Sequence, residues 1–165
     1  FMEFKKMQHE AMLQALKVIK NVHDEFAKKF GRAYGNGLLE LYKMEDAEYA
    51  LIGMGTLIGT ARVVVDKLRE EGHKVGLIKL RSLRPFPKED LAKATKNLQG
   101  LAVIDRHISL GYEGPLFSDV RSALFDSDIK INNFIAGLGG RDITQKHLRK
   151  ALLSLKERRE GGWLL

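Results

Sequence analysis

The chain has 165 residues, no cysteine, and 28 Lys and Arg against 21 Asp and Glu. This length suits one domain with a sizeable core, and the lack of cysteine excludes disulfides, thiolate catalysis and cysteine-bound metal sites in this sequence. No apolar run approaches the roughly 20 residues of a membrane-spanning helix, so we expect a cytoplasmic protein. The positive charges are scattered among acidic residues and form no basic and aromatic cluster, which argues against a nucleic-acid partner.

The first segment predicts one long helix, from residue 2 to about 30. Its apolar residues recur every three or four positions, without an intervening Gly or Pro. They are Phe4, Met7, Ala11, Ala15, Val18, Val22 and Phe26. Gly31 is placed to end the helix in the left-handed conformation. Because such a helix is longer than a small domain normally covers, we expect part of its apolar face to rest on something absent from this chain.

After this helix the sequence alternates short apolar runs with helical patterns. The first unit is the strand Tyr49–Gly53, a Gly-x-Gly turn and a helix over 57–68. The other candidate strands are 74–80, 101–105 and 130–136, and the candidate helices are 88–97, one from Pro115, and 145–157. Residues 38–42 suggest a short extended piece, and the tail 158–165 is expected to fray unless it docks. Consecutive apolar residues predict strands covered on both faces, hence an α/β fold with an open, mainly parallel sheet and helices on both faces.

In such a sheet the carboxyl ends of the strands share one edge, where ligands or partners meet the loops. These loops are 53–56, 81–86, 106–114 and 137–142, and they supply glycine, arginine and backbone amides. That chemistry suits an anion or a neighbouring carboxylate. The candidate interface residues are Arg81, Arg84, Phe86, Arg106, Tyr112, Glu113, Arg141 and Asp142.

An alternative interpretation is a free-standing nucleotide- or anion-binding Rossmann-like domain. Gly53, Gly55 and Gly59 are spaced almost like a dinucleotide fingerprint, although the last interval is one residue too long. Arg81 stands where a ribose-binding acid is expected and would suit a 2′-phosphate instead. A tight turn between strand and helix explains the glycines equally well.

No constellation of residues predicts catalysis or metal binding. Asp105, His107, Ser109 and Glu113 share one loop and lack a nucleophile elbow. We interpret the segment as a polar loop in which His107 and Asp105 satisfy backbone groups. The five histidines show no metal-ligand spacing. We therefore predict no catalytic residue and no metal site in this chain.

Several short motifs, taken together in their order, resemble the carboxyl-terminal part of the alpha subunit of pyruvate:ferredoxin oxidoreductase (pyruvate synthase). The motifs are Glu25–Arg32, Ile52–Thr56, Lys79–Pro87, Val103–Arg106, Gly111–Leu116 and Ala136–Thr144. They span nearly the whole chain. The resemblance implies a transketolase C-terminal domain-like unit with a five-stranded, mostly parallel sheet at residues 38–165. It also implies that residues 1–37 are a helix and linker that follow an upstream domain.

The resemblance also implies where the chemistry lies. In such enzymes thiamine diphosphate and Mg lie between a pyrimidine-binding domain of the alpha subunit and a pyrophosphate-binding domain of a beta subunit. Iron–sulfur clusters on another subunit carry the electrons. None of their binding motifs occurs here. We therefore expect a non-catalytic interaction domain of a multisubunit enzyme, inactive alone, whose partners are other domains and the beta, gamma and delta subunits, or a second copy in a homodimer.

Overall fold

The computed structural model describes all 165 residues. The helices are α1 (Met2–Phe30), α2 (Leu57–Glu70), α3 (Lys88–Thr95), α4 (Pro115–Ala123) and α5 (Gln145–Lys156). The strands are β1 (Leu39–Tyr42), β2 (Tyr49–Gly53), β3 (Val75–Leu80), β4 (Gly100–Asp105), β5 (Lys130–Ile135) and β6 (Gly162–Trp163). Every predicted helix and strand is present, and a single 3₁₀ turn at Leu138–Gly140 follows β5.

The strands form one sheet in the order β1-β3-β2-β4-β5-β6. The pairs from β3 to β6 are parallel, and only β1 runs antiparallel, along β3. The α/β fold with a mostly parallel sheet is therefore confirmed. The sheet has six strands rather than the expected five, because the tail adds one.

The tail adds a strand beside β5 instead of fraying. Gly162 and Trp163 pair in parallel with Phe134 and Ile135 of β5. The next residue, Leu164, donates its N–H to the carbonyl of Ile135 at 2.9 Å and buries its side chain. The sequence did not predict β6, because a strand of two residues is too short to show a periodic pattern.

The core consists of two layers, one on each face of the sheet. Leu51 and Leu77 point toward α2 and α5, whereas the following residues, Ile52 and Ile78, point toward α3 and α4. Successive side chains of a strand lie on opposite faces. Helices on both faces therefore account for the consecutive apolar residues of β2 and β3.

α1 lies apart from these layers and buries none of its residues. Its second half touches the domain through Lys20, whose Nζ lies 2.7 Å from the Oδ1 of Asp90. It touches the linker through His23, whose Nε2 accepts the N–H of Tyr34 at 3.2 Å. Gly31 (φ 67°) ends the helix in the left-handed region, as predicted. None of the helices has the length and apolarity that a membrane crossing requires.

The docking of the tail can be tested by truncating its anchor. Leu164 is 3% exposed and its neighbour Leu165 is 73% exposed. We expect Leu164→Ala to lower the free energy of unfolding by about 2 kcal/mol, through lost burial and a residual cavity. Leu165→Ala should change it by less than about 0.5 kcal/mol. Urea denaturation measures both, and equal effects would show that the tail is not docked.

Candidate functional site

The loops that follow the parallel strands meet at one edge of the sheet, as the strand order requires. Within this edge a cleft of about 250 Å³ lies between the start of α2, the end of β4 and the glycine-rich turn after β5. The residues that line the cleft are Thr56, Leu57, Thr60, Arg106, Gly140, Arg141, Asp142 and Ile143. Three of the candidate interface residues therefore share one cleft.

These three charged side chains are free. Arg106, Arg141 and Asp142 are exposed, and none of them joins the salt bridges and side-chain hydrogen bonds that hold the neighbouring loops. A Cβ on Gly137 would lie 2.9 Å from the side chain of Ile143 and 3.2 Å from the Nε of Arg106. Gly137 also adopts a φ of 72°, which only glycine takes easily. The turn thus needs glycine at this position, both for its backbone conformation and to leave room for the side chain of Ile143.

Two other candidate residues hold loops together within the domain. Arg84 donates two hydrogen bonds to the carboxylate of Asp119, at 2.9 and 3.0 Å, and this pairing raises the pKa of Arg84. Glu113 accepts from the hydroxyl of Ser118 at 2.8 Å and from Arg121 at 2.9 Å. Both side chains are therefore already satisfied by partners on α4.

Arg81 is also engaged, by residues that sequence reasoning missed. Its guanidinium lies 3.5 Å from the carboxylate of Glu40 and 5.7 Å from the ring centroid of Tyr34. Glu40 is mostly buried and contacts Arg62 and Lys79 as well. The pattern of β1 gave no signal for this role, since an acidic residue in an edge strand is ordinarily solvated.

The two aromatic candidates, Phe86 and Tyr112, differ in their exposure. Phe86 is half-buried and packs against the core layer of α3 and α4. Tyr112 is exposed, and its hydroxyl accepts from Arg121 at 3.1 Å. Of the two aromatic side chains, only that of Tyr112 is exposed.

The fingerprint glycines and Arg81 do not come together in this cleft. Gly59 lies inside α2, where its N–H bonds to the carbonyl of Thr56 at 3.2 Å. Gly53 packs against Leu57, and Arg81 is held at Glu40. Nucleotide binding through these residues stays a prediction.

Asp105, the last residue of β4, positions the loop that carries Arg106 and Tyr112. Its buried carboxylate accepts the N–H groups of Leu116 and Phe117, at 2.9 and 3.0 Å, and the side-chain amide of Asn133 at 3.2 Å. The expectation that Asp105 satisfies backbone groups is therefore met at the start of α4. Burial raises the pKa of Asp105, and the three hydrogen bonds oppose that rise.

Gly114 completes this arrangement. Its N–H donates to the side-chain carbonyl of Asn133 at 2.9 Å, and a Cβ at this residue would overlap the Asp105 carboxylate. No group of three or more His, Asp or Glu side chains is arranged to hold a metal ion. The hydrogen bonds of Asp105 and Gly114 thus fix the loop that carries the charged and aromatic side chains of this edge.

Comparison with known proteins assigns this architecture to a family. Residues 47–148 match the model of the pyruvate:ferredoxin oxidoreductase core domain II. The chain belongs to this family. It is 46% identical over 144 residues to the pyruvate synthase subunit PorA of Methanocaldococcus jannaschii, covering 87% of this chain and 36% of that subunit. It is 41% identical over 166 residues to the ketoisovalerate oxidoreductase subunit VorA of Pyrococcus horikoshii, covering 99% and 42%.

The family domain resembles two solved structures in fold. A 2-oxoglutarate:ferredoxin oxidoreductase from Magnetococcus marinus matches with a TM-score of 0.55 at 16% identity, over 79% of this chain and 21% of that one. A split-gene transketolase matches with a TM-score of 0.54 at 18% identity, over 67% and 39%. The chain thus has a transketolase-like fold. It spans 36 to 42% of the length of the curated relatives PorA and VorA.

The role of Asp105 can be tested by an isosteric substitution. In Asp105→Asn one acceptor oxygen becomes an amide that faces N–H donors, so we expect the free energy of unfolding at neutral pH to fall by about 1–3 kcal/mol. Asp126 is exposed and has no ion-pair partner, so Asp126→Asn should change stability by less than about 0.5 kcal/mol. Denaturant titration measures the free energy of unfolding of both variants. If the two substitutions change it equally, Asp105 does not have the proposed role.

The raised pKa of Asp105 predicts a direction with pH. Because its folded-state pKa exceeds the ordinary value of 3.8, the folded state binds the proton more tightly than the unfolded state. The contribution of Asp105 to the free energy of unfolding is therefore complete when the pH lies below its unfolded-state pKa. It declines as the pH rises through the raised folded-state pKa. The stability difference between the wild type and Asp105→Asn should be larger near pH 3 than near pH 7. A difference that grows with pH would contradict this assignment.

Proposed function

We propose that this chain is a non-catalytic interaction domain of the alpha-type subunit of a 2-oxoacid:ferredoxin oxidoreductase. The observation that carries the proposal is the domain-level family match together with a chain that spans 36 to 42% of the relatives' length. Among the relatives named above, PorA of pyruvate synthase is more similar than VorA of a ketoisovalerate enzyme. We therefore infer pyruvate as the substrate of the parent enzyme.

The cofactors of such an enzyme belong elsewhere in the complex. The chain has no cysteine for an iron–sulfur cluster and no group of three His, Asp or Glu side chains for a metal ion. The clusters and Mg do not fit the residues present here, and we place thiamine diphosphate outside this chain with them. The isolated chain is accordingly expected to be inactive, and the beta, gamma and delta partners, the homodimer and the cytoplasmic location remain predictions.

The free side chains at the carboxyl edge supply the partner contacts in this proposal. Arg106, Arg141 and Asp142 are charged and unpaired, and Tyr112 offers an exposed ring. Such residues form good interface contacts when a partner supplies opposite charges and excludes water. The other candidates, Arg81, Arg84, Phe86 and Glu113, act in this view by fixing the loops. Residues 1–37 connect the domain at 38–165 to the rest of the subunit.

A second candidate function is the binding of a small anion in the same cleft. α2 begins at Leu57 without an acidic residue in its first turn, and the hydroxyl of Thr56 makes no cap hydrogen bond. The positive end of a helix beside Arg106 and Arg141 would favour a phosphate or carboxylate. Calorimetry with coenzyme A, NADPH and NADH distinguishes the two functions. Micromolar binding by the isolated chain, lost in Arg106→Ala/Arg141→Ala, would favour this second function.

The interaction role predicts the effect of removing the free arginines. We expect Arg106→Ala/Arg141→Ala to weaken binding of the remaining subunits at least about tenfold, equivalent to 1.4 kcal/mol, with an unchanged melting temperature. Arg149 pairs with Glu71 just beyond the other end of α2, so Arg149→Ala serves as the control and should bind normally. Titration calorimetry with the purified remaining subunits measures both. Unchanged affinity, or pyruvate oxidation by the isolated chain, would overturn the proposal.

A further inference from the structure

α1 presents two different faces. The inner face contains the half-buried Leu16, Ile19 and His23, and Ile19 and His23 lie against Gly37 of the linker that follows α1. The outer stripe is an apolar row on another side of the same helix. It consists of Phe4, Met7, Ala11, Val18 and Val22. At 100° per residue these positions fall within an arc of about 60°, whose centre is roughly 120° away from the centre of the inner face.

No residue of this chain covers the outer stripe. Phe4 is 74% exposed, Met7 63%, and Val18 and Val22 57% each. All of residues 1–14 are exposed, so the first half of α1 extends beyond the domain. A single helix in water is marginally stable, and helices in proteins derive most of their stability from packing an apolar face. The outer stripe therefore has the properties of a contact surface.

The spacing of the outer stripe indicates the shape of its partner. From Phe4 to Val22 the apolar positions advance by three, four, seven and four residues, which is the pattern of a seam between two packed helices. The stripe extends over about five turns, or roughly 27 Å. The matching surface is an amphipathic α-helix of about 18 residues.

The relatives indicate where that helix comes from. The match to VorA covers 99% of this chain, α1 included, but only 42% of that subunit. The counterpart of α1 in VorA thus belongs to a chain more than twice as long. Five side chains, one of them an alanine, form a weak seam between free molecules. Within one subunit the effective concentration reaches the millimolar range, and a weak seam suffices.

We propose that the outer stripe of α1 seats an amphipathic helix from the part of the subunit that lies outside this chain. α1 then bridges two units: Lys20 pairs with Asp90 of this domain, the inner face lies against the linker, and the outer stripe packs against the other unit. This inference rests on the proposed function, since it requires the chain to belong to a larger subunit. It adds the surface and the chemistry of the partner.

Thiol accessibility tests the seam, because the chain contains no cysteine. Two single-cysteine variants are made, each in the 165-residue chain and in the complete subunit. Val18→Cys lies on the outer stripe, and Lys17→Cys is exposed on a side of α1 away from both the outer stripe and the inner face. We expect maleimide labelling of Val18→Cys to be at least about tenfold slower in the complete subunit. Labelling of Lys17→Cys should be equally fast in both forms.

Equal labelling of Val18→Cys in both forms would overturn the inference. Protection in the isolated chain that increases with its concentration would also overturn it, because the occupant would then be a second copy. Assembly with the other subunits, measured by co-purification on the same preparations, separates this inference from the proposed function. Normal assembly with an unprotected Val18→Cys refutes only the seam, whereas protection without assembly refutes only the proposed function.

Discussion

One buried carboxylate holds the loop between β4 and α4, at the edge of the sheet where the parallel strands end. Asp105 joins the end of β4 to the first turn of α4 and, through Asn133, to β5. A charge in this position is costly unless hydrogen bonds compensate it, and here three N–H donors do so. The same contacts fix both ends of the loop that carries Arg106 and Tyr112. Arg106 and Tyr112 thus lie on a loop whose two ends are held by hydrogen bonds.

At this edge the charged residues separate into two groups. Arg81, Arg84 and Glu113 have partners within the domain and serve to hold its loops. Arg106 and Arg141 have none. A surface ion pair contributes little stability, so pairing these two arginines would gain the domain little. An interface in which a partner supplies opposite charges and excludes water would gain more binding free energy from these two arginines.

In the proposed arrangement, the stability of the domain and the assembly of the subunit depend on different apolar surfaces. Both faces of the sheet are closed by α2 to α5, which gives the domain a complete core of its own. α1 adds nothing buried to that core. Its outer stripe is therefore available to a neighbour without weakening the domain.

The sequence by itself determined the elements, the α/β class and the edge at which the candidate residues meet. These features follow from local periodicity and from the shared direction of parallel strands. It did not determine the sixth strand, whose pairing depends on the edge of β5 being open. Nor did it show that Arg84 is bound and Arg106 free, because the partner of Arg84 is Asp119, 35 residues away. Only the tertiary structure decides such matters, since hydrogen bonds between distant residues depend on distances that the spacing along a chain does not specify.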